Sequence, residues 1–257
     1  MLVSELMLQQ TQVARVVPRY HRFLERFPTP AACAAATAGD VVRAWAGLGY
    51  NRRALNLHRA AVEVVERWED RLPGDLEGLL SLPGVGPYTA RAVLAFAFER
   101  DHGVLDTNAA RVLARLAGRS LRPREAQERA DELVPRGGAW RWNQAMLDLG
   151  ATVCVARAPT CDRCPVAAWC TWRGRGLPEP DPAIGSAGVA GRQSTFEGSD
   201  RQGRGRLVDA LRLGPVALDD VAVRCGWPDD PARAGRVADQ LVAEGFAVRV
   251  DDALTLS

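Results

Sequence analysis

The sequence predicts a mostly helical domain over residues 1–175, followed by a linker and a small α+β module. Three observations lead to this fold class. Apolar residues recur at three- and four-residue spacing through the first part of the chain, with Gly and Pro between the runs. Signals of β-strands are nearly absent there. Residues 176–200 are rich in Gly, Pro and Ser, a composition typical of linkers.

The individual elements follow from the same patterns. In the first domain, helical periodicity is clearest in residues 41–45, 55–65, 90–98 and 111–116. In the last part, residues 204–213, 217–225 and 231–244 are predicted to be helices, and FAVRV and ALTLS a β-hairpin around Asp251 and Asp252. Three helices and a hairpin indicate a winged-helix-like module over residues 201–257.

Charge is unevenly distributed along the 257 residues, although the net charge is only +2. Residues 43–59 and 107–124 contain arginines and no acidic residue, which fits either a phosphate-binding patch or a solvated helix face. Residues 216–257 contain eight acidic residues and only four arginines. We therefore expect the surface of this module to contact a protein partner, or to pack against the rest of the chain, and not to bind nucleic acid. No apolar run is long enough to cross a bilayer, which favours a soluble intracellular, cytoplasmic protein without membrane contact.

Four cysteines lie in the short run CVARAPTCDRCPVAAWC, namely Cys154, Cys161, Cys164 and Cys170. Four thiolates from one segment can surround a [4Fe–4S] cluster. Structural zinc is the alternative, but zinc sites more often use two C-x2-C pairs, and only Cys161 and Cys164 form one here. Disulfides are a third possibility that an intracellular location disfavours. Cys33 and Cys225 stand alone in apolar surroundings and are predicted to be inert core residues.

The run LPGVGPYTA, residues 82–90, places Gly84 and Gly86 just before a predicted helix. Such a turn can direct backbone N–H groups at a DNA phosphate. Together with VLDTNAARV at residues 104–112 and the four cysteines, it resembles the helix-hairpin-helix DNA glycosylase superfamily. The resemblance implies an all-α helix-hairpin-helix fold that ends in an iron–sulfur loop, here residues 154–170.

Three further stretches are similar to one branch of that superfamily, the MutY-type adenine DNA glycosylases. They are LVSELMLQQTQVARV at residues 2–16, GLGYNRRALNLH at 47–58 and WNQAMLDLGATVC at 142–154. The resemblance extends to about residue 173. It implies monofunctional removal of adenine from A:8-oxoguanine or A:G mispairs in double-stranded DNA, by a protein that we expect to be a monomer.

The resemblance also implies which residues do the chemistry. Glu5 is expected to protonate adenine, and Asp106 to stabilise the sugar cation, since loss of a poor leaving group needs both an acid and an anion. Burial near Leu6 and Leu8 is expected to keep Glu5 protonated. Asp106 is also predicted to cap a helix, with Asn108 helping to place it.

Other residues are expected to handle the DNA. Adenine must leave the duplex to be cleaved, and Gln10 and Tyr50 match the residues that fill the gap. Gln144 corresponds to a position that contacts the extruded adenine. Tyr88 stands where the endonuclease III type carries a Schiff-base lysine, and this sequence contains no lysine at all.

Two departures from the family pattern leave alternatives. Family members carry an additional helix before SELMLQQT, whereas Met1 lies four residues ahead of Glu5; this predicts either a missing helix or a start assigned too late. Residues 201–257 are also too few for the Nudix-like domain that reads 8-oxoguanine. The alternatives are a thymine glycosylase acting on T:G mispairs and a non-catalytic iron–sulfur protein that binds DNA.

Overall fold

The fold was analysed in a computed structural model, which describes residues 1–187 and 195–257. The elements follow in chain order: α1 (Leu2–Leu8), α2 (Val13–Arg26), α3 (Pro30–Ala34), α4 (Ala38–Ala44), α5 (Arg52–Trp68), α6 (Leu76–Ser81), α7 (Pro87–Ala97), α8 (Thr107–Ala117), α9 (Pro123–Glu132), α10 (Ala139–Thr152), α11 (Thr171–Gly174), α12 (Asp200–Leu213), β1 (Val216–Ala217), α13 (Val221–Cys225), α14 (Pro231–Ala243), β2 (Ala247–Val250) and β3 (Ala253–Leu256). Among these residues, no helix has both the length and the apolar character that crossing a membrane requires.

The predicted fold class is confirmed. Helices cover the segments with helical periodicity to within one residue, except that the predicted helix over residues 217–225 begins only at Val221, because Ala217 pairs with Ala253 in β1 and Leu218–Asp220 form a 3-10 turn. Strands occur only after residue 215 in the described ranges. The hairpin of β2 and β3 is joined by β1 into an antiparallel sheet of order β1-β3-β2, with Val216 opposite Leu254. The sequence did not predict β1, because two residues are too few to show an alternating pattern.

The chain divides into two compact units. Unit 1 contains Met1, Gly74–Leu80 and the described residues from Val85 to Ala187. Unit 2 contains Leu2–Pro73, Ser81–Gly84 and the described residues from 195 onward. Residues 200–257, called the C-terminal module below, therefore belong to the same unit as the first five helices.

Unit 1 is built on α8, α9 and α10, whose buried apolar residues include Leu113, Ala126 and Met146. Part of the predicted linker packs on it: Asp181 pairs with the buried Arg115, and Ala187 N–H donates to Leu121 O at 3.0 Å. The Gly-, Pro- and Ser-rich composition of this segment gave no indication that it packs on unit 1. Residues 188–194 of that linker lie outside the described residues, and the boundaries 1–175, 176–200 and 201–257 stay a prediction.

Unit 2 has an aromatic core in which Phe23 packs edge-on against Trp45, with ring centroids 6.0 Å apart. Cys33 and Cys225 are both buried in this unit, and burial raises the pKa of each thiol to about 11. Both thiols are therefore protonated at neutral pH, and their prediction as inert core residues is confirmed.

Two arginines of the predicted basic patches are buried. Arg53 is 8% exposed and Arg115 2% exposed. Neither interpretation of the patches, phosphate binding or a solvated face, is right for these two side chains. Sequence composition counts a buried arginine and an exposed one alike.

Candidate functional site

Asp106 begins α8 as its N-cap residue, which confirms that part of the prediction. Its Oδ1 accepts a hydrogen bond from the Ala109 N–H at 2.7 Å, and its Oδ2 accepts one from Asn108 Nδ2 at 3.0 Å. Both carboxylate oxygens are thus held by neutral donors. A partly buried carboxylate in this arrangement has a fixed direction.

Asn143 of α10 holds the segment that leads to Asp106. Sequence reasoning did not identify this role of Asn143. Its Oδ1 accepts from Val104 N–H at 2.8 Å, and its Nδ2 donates to His102 O at 2.9 Å. The side chain is 2% exposed. A buried amide on an otherwise apolar helix face was the available signal, because such a group must find partners.

Asn108 connects the Asp106 turn to the cysteine loop. Its Oδ1 accepts from Arg111 Nη2 at 2.8 Å, and the same guanidinium donates through Nε to Cys154 O at 2.7 Å. Gly150 lets α10 approach closely, since a Cβ there would lie 2.6 Å from the Asn108 Cβ. Arg111 therefore links the turn of the predicted catalytic carboxylate to the first predicted cluster ligand.

Arg115 holds the start of the cysteine loop by hydrogen bonds. It donates to Cys154 Sγ at 3.3 Å and to Val155 O at 2.8 Å, and pairs with Asp181 at 2.6 Å. Its guanidinium also lies 4.8 Å from the ring centroid of Trp172. Burial by itself would raise the pKa of Asp181, but the hydrogen bond from Arg115 lowers it overall.

The four predicted ligands form one group of free thiols. Burial raises the pKa of Cys161, and the charges of Cys154, Cys170 and Cys164 raise it further, so all four sulfurs share one electrostatic environment. In the described ranges, no three His, Cys, Asp or Glu side chains are arranged around a single metal ion.

Gln144 and Tyr88 are the remaining predicted site residues of unit 1. Both are partly buried. Gln144 follows the buried Asn143 on α10, and Tyr88 packs at the start of α7 against a cluster that includes Ala92 and Val104. Tyr88 is therefore at least partly a packing residue.

The predicted hairpin lies between α6 and α7. Gly84 has φ 78°, in the left-handed region, and a Cβ there would lie 2.7 Å from the Cβ of Asn56, so only glycine fits. Gly86 is the N-cap residue of α7, and none of the described atoms lies within 4 Å of where its Cβ would be. The space beside Gly86 is thus open to a close backbone contact, as phosphate binding requires.

Glu5 lies on α1 of unit 2 and is partly buried. The neighbours Leu2, Leu6 and Met7 are buried, whereas Leu8 is 36% exposed. Leu2 and Leu8 lie three residues before and after Glu5 on α1 and so share its side of the helix. The expectation that apolar surroundings keep Glu5 protonated stays a prediction.

Gln10 and Tyr50 share an unusual backbone conformation. Their φ angles are 57° and 45°, in the left-handed region that non-glycine residues seldom adopt. Both side chains are exposed, Tyr50 by 50%, which excludes ordinary core packing for it. Such conformations persist where the surroundings hold them, and they are frequent at functional sites.

Arg53 supplies that support, and sequence reasoning missed its role. Its buried guanidinium donates to Leu6 O at 2.6 Å, Met7 O at 3.0 Å and Gln9 O at 2.5 Å, next to Gln10. It also donates to Leu48 O and Gly49 O, each at 3.1 Å, next to Tyr50. All these acceptors are neutral, and burial lowers the pKa of Arg53 to about 10, which leaves it charged at neutral pH. One cation thus holds both predicted DNA-filling residues.

Comparison with known proteins agrees with this geometry. Residues 3–136 match the HhH-GPD superfamily of base excision DNA repair proteins. The chain is 42% identical to the adenine DNA glycosylase of Mycobacterium tuberculosis over 98% of its length and 82% of that protein. The chain belongs to this family of adenine DNA glycosylases. It is also 38% identical to the human adenine DNA glycosylase, over 80% of this chain and 38% of the human protein.

Solved structures place this family member in the expected fold. A thermostable thymine-DNA glycosylase has a TM-score of 0.61 and 28% identity, covering 68% of this chain and 83% of that one. A trapped endonuclease III–DNA intermediate has a TM-score of 0.60 at 24% identity, over 69% and 84%. The similarity to the mycobacterial protein extends beyond residue 173 into the C-terminal module, whereas other relatives, such as the rat adenine DNA glycosylase, match 65% of the chain.

Proposed function

We propose that this chain removes adenine mispaired with 8-oxoguanine or guanine in double-stranded DNA, by hydrolysing the N-glycosidic bond. The protein is an adenine DNA glycosylase of base excision repair, as its family membership indicates. The observation that carries the finer proposal is the Asp106 turn. It presents a carboxylate whose two oxygens are fixed by neutral donors, as a group that faces a developing sugar cation must be.

The chemistry uses two carboxylates. Glu5 donates a proton to the adenine ring, at N7, and the neutral base then leaves. The sugar becomes oxocarbenium-like as the bond breaks, and Asp106 stabilises that charge, or briefly bonds to the sugar carbon, until water adds. Partial burial beside Leu2 and Leu6 favours the protonated form of Glu5 before the reaction.

Unit 2 opens the duplex in this proposal. Tyr50 and Gln10 enter the stack when the adenine is extruded, and Gln144 contacts the base in its pocket. Gly84 and Gly86 receive a backbone phosphate at the start of α7. Because the sequence has no lysine, the product is an abasic site in an intact strand. DNA is thus the substrate and partner, and we place the protein at the nucleoid.

Cys154, Cys161, Cys164 and Cys170 would hold a [4Fe–4S] cluster. Bound there, the cluster would serve to order the loop rather than to react with the base. The loop carries Arg157 and Arg163, and Arg111 joins it to the Asp106 turn. Anaerobically purified protein should be brown and contain about four irons per chain; one zinc and no iron would contradict the ligand assignment.

The function is tested by single-turnover excision on matched duplexes. The substrates contain A:8-oxoguanine, A:G or T:G at the same position, and products are measured before and after hot alkali. We expect free adenine from the first two duplexes and strand breaks only after alkali. Release of thymine in preference to adenine would favour the thymine glycosylase alternative. Binding without release of any base would favour the non-catalytic one.

A further inference from the structure

The C-terminal module contacts both helices that flank the loop carrying Tyr50. That loop, residues 45–51, connects α4 to α5 and is called the Tyr50 loop below. We propose that the C-terminal module supports the Tyr50 loop, and that this support lets the enzyme open the duplex. The proposal rests on the proposed function in one respect, the entry of Tyr50 into the DNA stack.

The first contacts are on α4. Gly39 N–H, one of the donors that a helix N-terminus leaves unpaired, donates to the backbone oxygen of Ser257 at 2.5 Å. A Cβ on Gly39 would lie 2.7 Å from that oxygen and 2.9 Å from the Cβ of Leu256. The end of β3 therefore approaches α4 more closely than any residue but glycine allows. Arg212 of α12 adds a hydrogen bond from Nε to Val42 O at 3.0 Å.

The second contacts are on the end of the loop and on α5. Nη2 of the same Arg212 donates to Asn51 Oδ1 at 2.8 Å, directly beside Tyr50. Arg59 of α5 donates through Nη2 to Glu244 O at 2.7 Å. The Glu244 carboxylate pairs with Arg52 of α5 and with Arg204 of the module itself. One side chain, Arg212, thus joins α4 to Asn51, the last residue of the Tyr50 loop and the N-cap residue of α5.

The Tyr50 loop needs such support because of its conformation. Gly47, Gly49 and Tyr50 all have positive φ angles, of 80°, 68° and 45°. A non-glycine residue in this region is strained and is kept only where its neighbours fix it. Arg53 fixes the loop from inside unit 2, and Arg212 fixes the residue that follows Tyr50. The side chain of Arg212 is only 9% exposed and also pairs with Asp209, so its own position is set.

Two substitutions in the full chain remove the support without touching the loop. Gly39→Ala displaces β3 from α4, and Arg212→Ala removes the link between α4 and α5. Their matched controls are Gly235→Ala on α14, where a Cβ meets none of the described atoms within 4 Å, and Arg224→Ala, an exposed arginine on α13. Duplex opening is followed by the fluorescence of 2-aminopurine placed beside the target adenine, and adenine release is measured on the same DNA.

We expect both test variants to open the duplex about tenfold to a hundredfold more slowly, the loss that a misplacement of about 1 Å can cause. The controls should match wild type. In a Tyr50→Ala background, Arg212→Ala should have little further effect, because it acts through Tyr50. Wild-type opening rates in both test variants would overturn the proposal, and so would an equal loss with and without Tyr50. A wild-type chain that opens DNA but releases no adenine would instead contradict the proposed function.

Discussion

The turn that carries Asp106 and the loop that carries Tyr50 are held in place by different chemistry. In unit 1, neutral amides and one helix N-terminus hold the Asp106 carboxylate, and Asn143 holds the approach to it. In unit 2, the buried cation of Arg53 holds backbone carbonyls on both sides of the predicted DNA-filling residues. The first arrangement gives one carboxylate a fixed direction, and the second supports left-handed backbone at two exposed residues.

The largest effect should come from the reacting carboxylate itself. Asp106→Asn keeps the shape of the cap but removes the anion, so excision should fall about 10²–10³-fold. Single-turnover adenine release measures this. Asp148→Asn, at an exposed position on α10, is the matched control and should excise like wild type. An Asp106→Asn enzyme with wild-type rates would remove Asp106 from the mechanism.

Next in size is the support of the Tyr50 loop from inside. Arg53→Lys keeps the charge, but a lysine ammonium group cannot donate both to the carbonyl groups next to Gln10 and to those next to Tyr50. Each buried carbonyl left unpaired costs about 1–3 kcal/mol, so the free energy of unfolding should fall together with excision from a paired A:8-oxoguanine duplex. Arg67→Lys, which changes an exposed ion pair on the same helix, should alter neither. Unchanged melting and excision in Arg53→Lys would contradict the role given to this cation.

A smaller effect is expected from the link between the Asp106 turn and the cysteine loop. Arg111→Met removes the donors to Asn108 and to Cys154 O. We expect a severalfold loss of excision, as lost positioning brings, and faster loss of iron on exposure to a chelator. Arg124→Met, an exposed arginine of unit 1, is the control. Iron retention and excision that both match wild type would show that the link has no function.

The smallest effect concerns the contact of the C-terminal module with α5. Burial alone would raise the pKa of Glu244, but hydrogen bonds from Arg52 and Arg204 lower it overall. A carboxylate with a lowered pKa stabilises the fold above its unfolded pKa of about 4.3, and this contribution is lost as pH falls through the folded pKa. Wild type should therefore melt above Glu244→Gln at pH 7 and lose that advantage in acid. A difference in melting temperature between wild type and Glu244→Gln that grew as the pH fell would contradict the stabilising role of these ion pairs.

The sequence predicted the helices, the C-terminal hairpin and the capping role of Asp106, because each has a local signal in spacing or residue type. It missed Asn143, whose signal was a single amide on an otherwise apolar helix face, and it could not predict the roles of Arg53 and Arg212. The partners of these two arginines include backbone carbonyls far away in the chain, such as Leu6 O for Arg53 and Val42 O for Arg212. Backbone acceptors look the same at every residue, so no pattern marks them. The packing of Asp181 was missed for the same reason, since burial is decided by distant elements.

The central claim is that unit 2 opens the duplex while the Asp106 turn acts on the bond, and one comparison of substrates tests it most directly. Single-turnover excision is measured for wild type, Tyr50→Ala and Asp106→Asn on adenine paired in a duplex and on adenine already unstacked in a bulge. The account predicts that Tyr50→Ala is slow only on the paired adenine, whereas Asp106→Asn is slow on both. A Tyr50→Ala enzyme that loses the same factor on both substrates would contradict it.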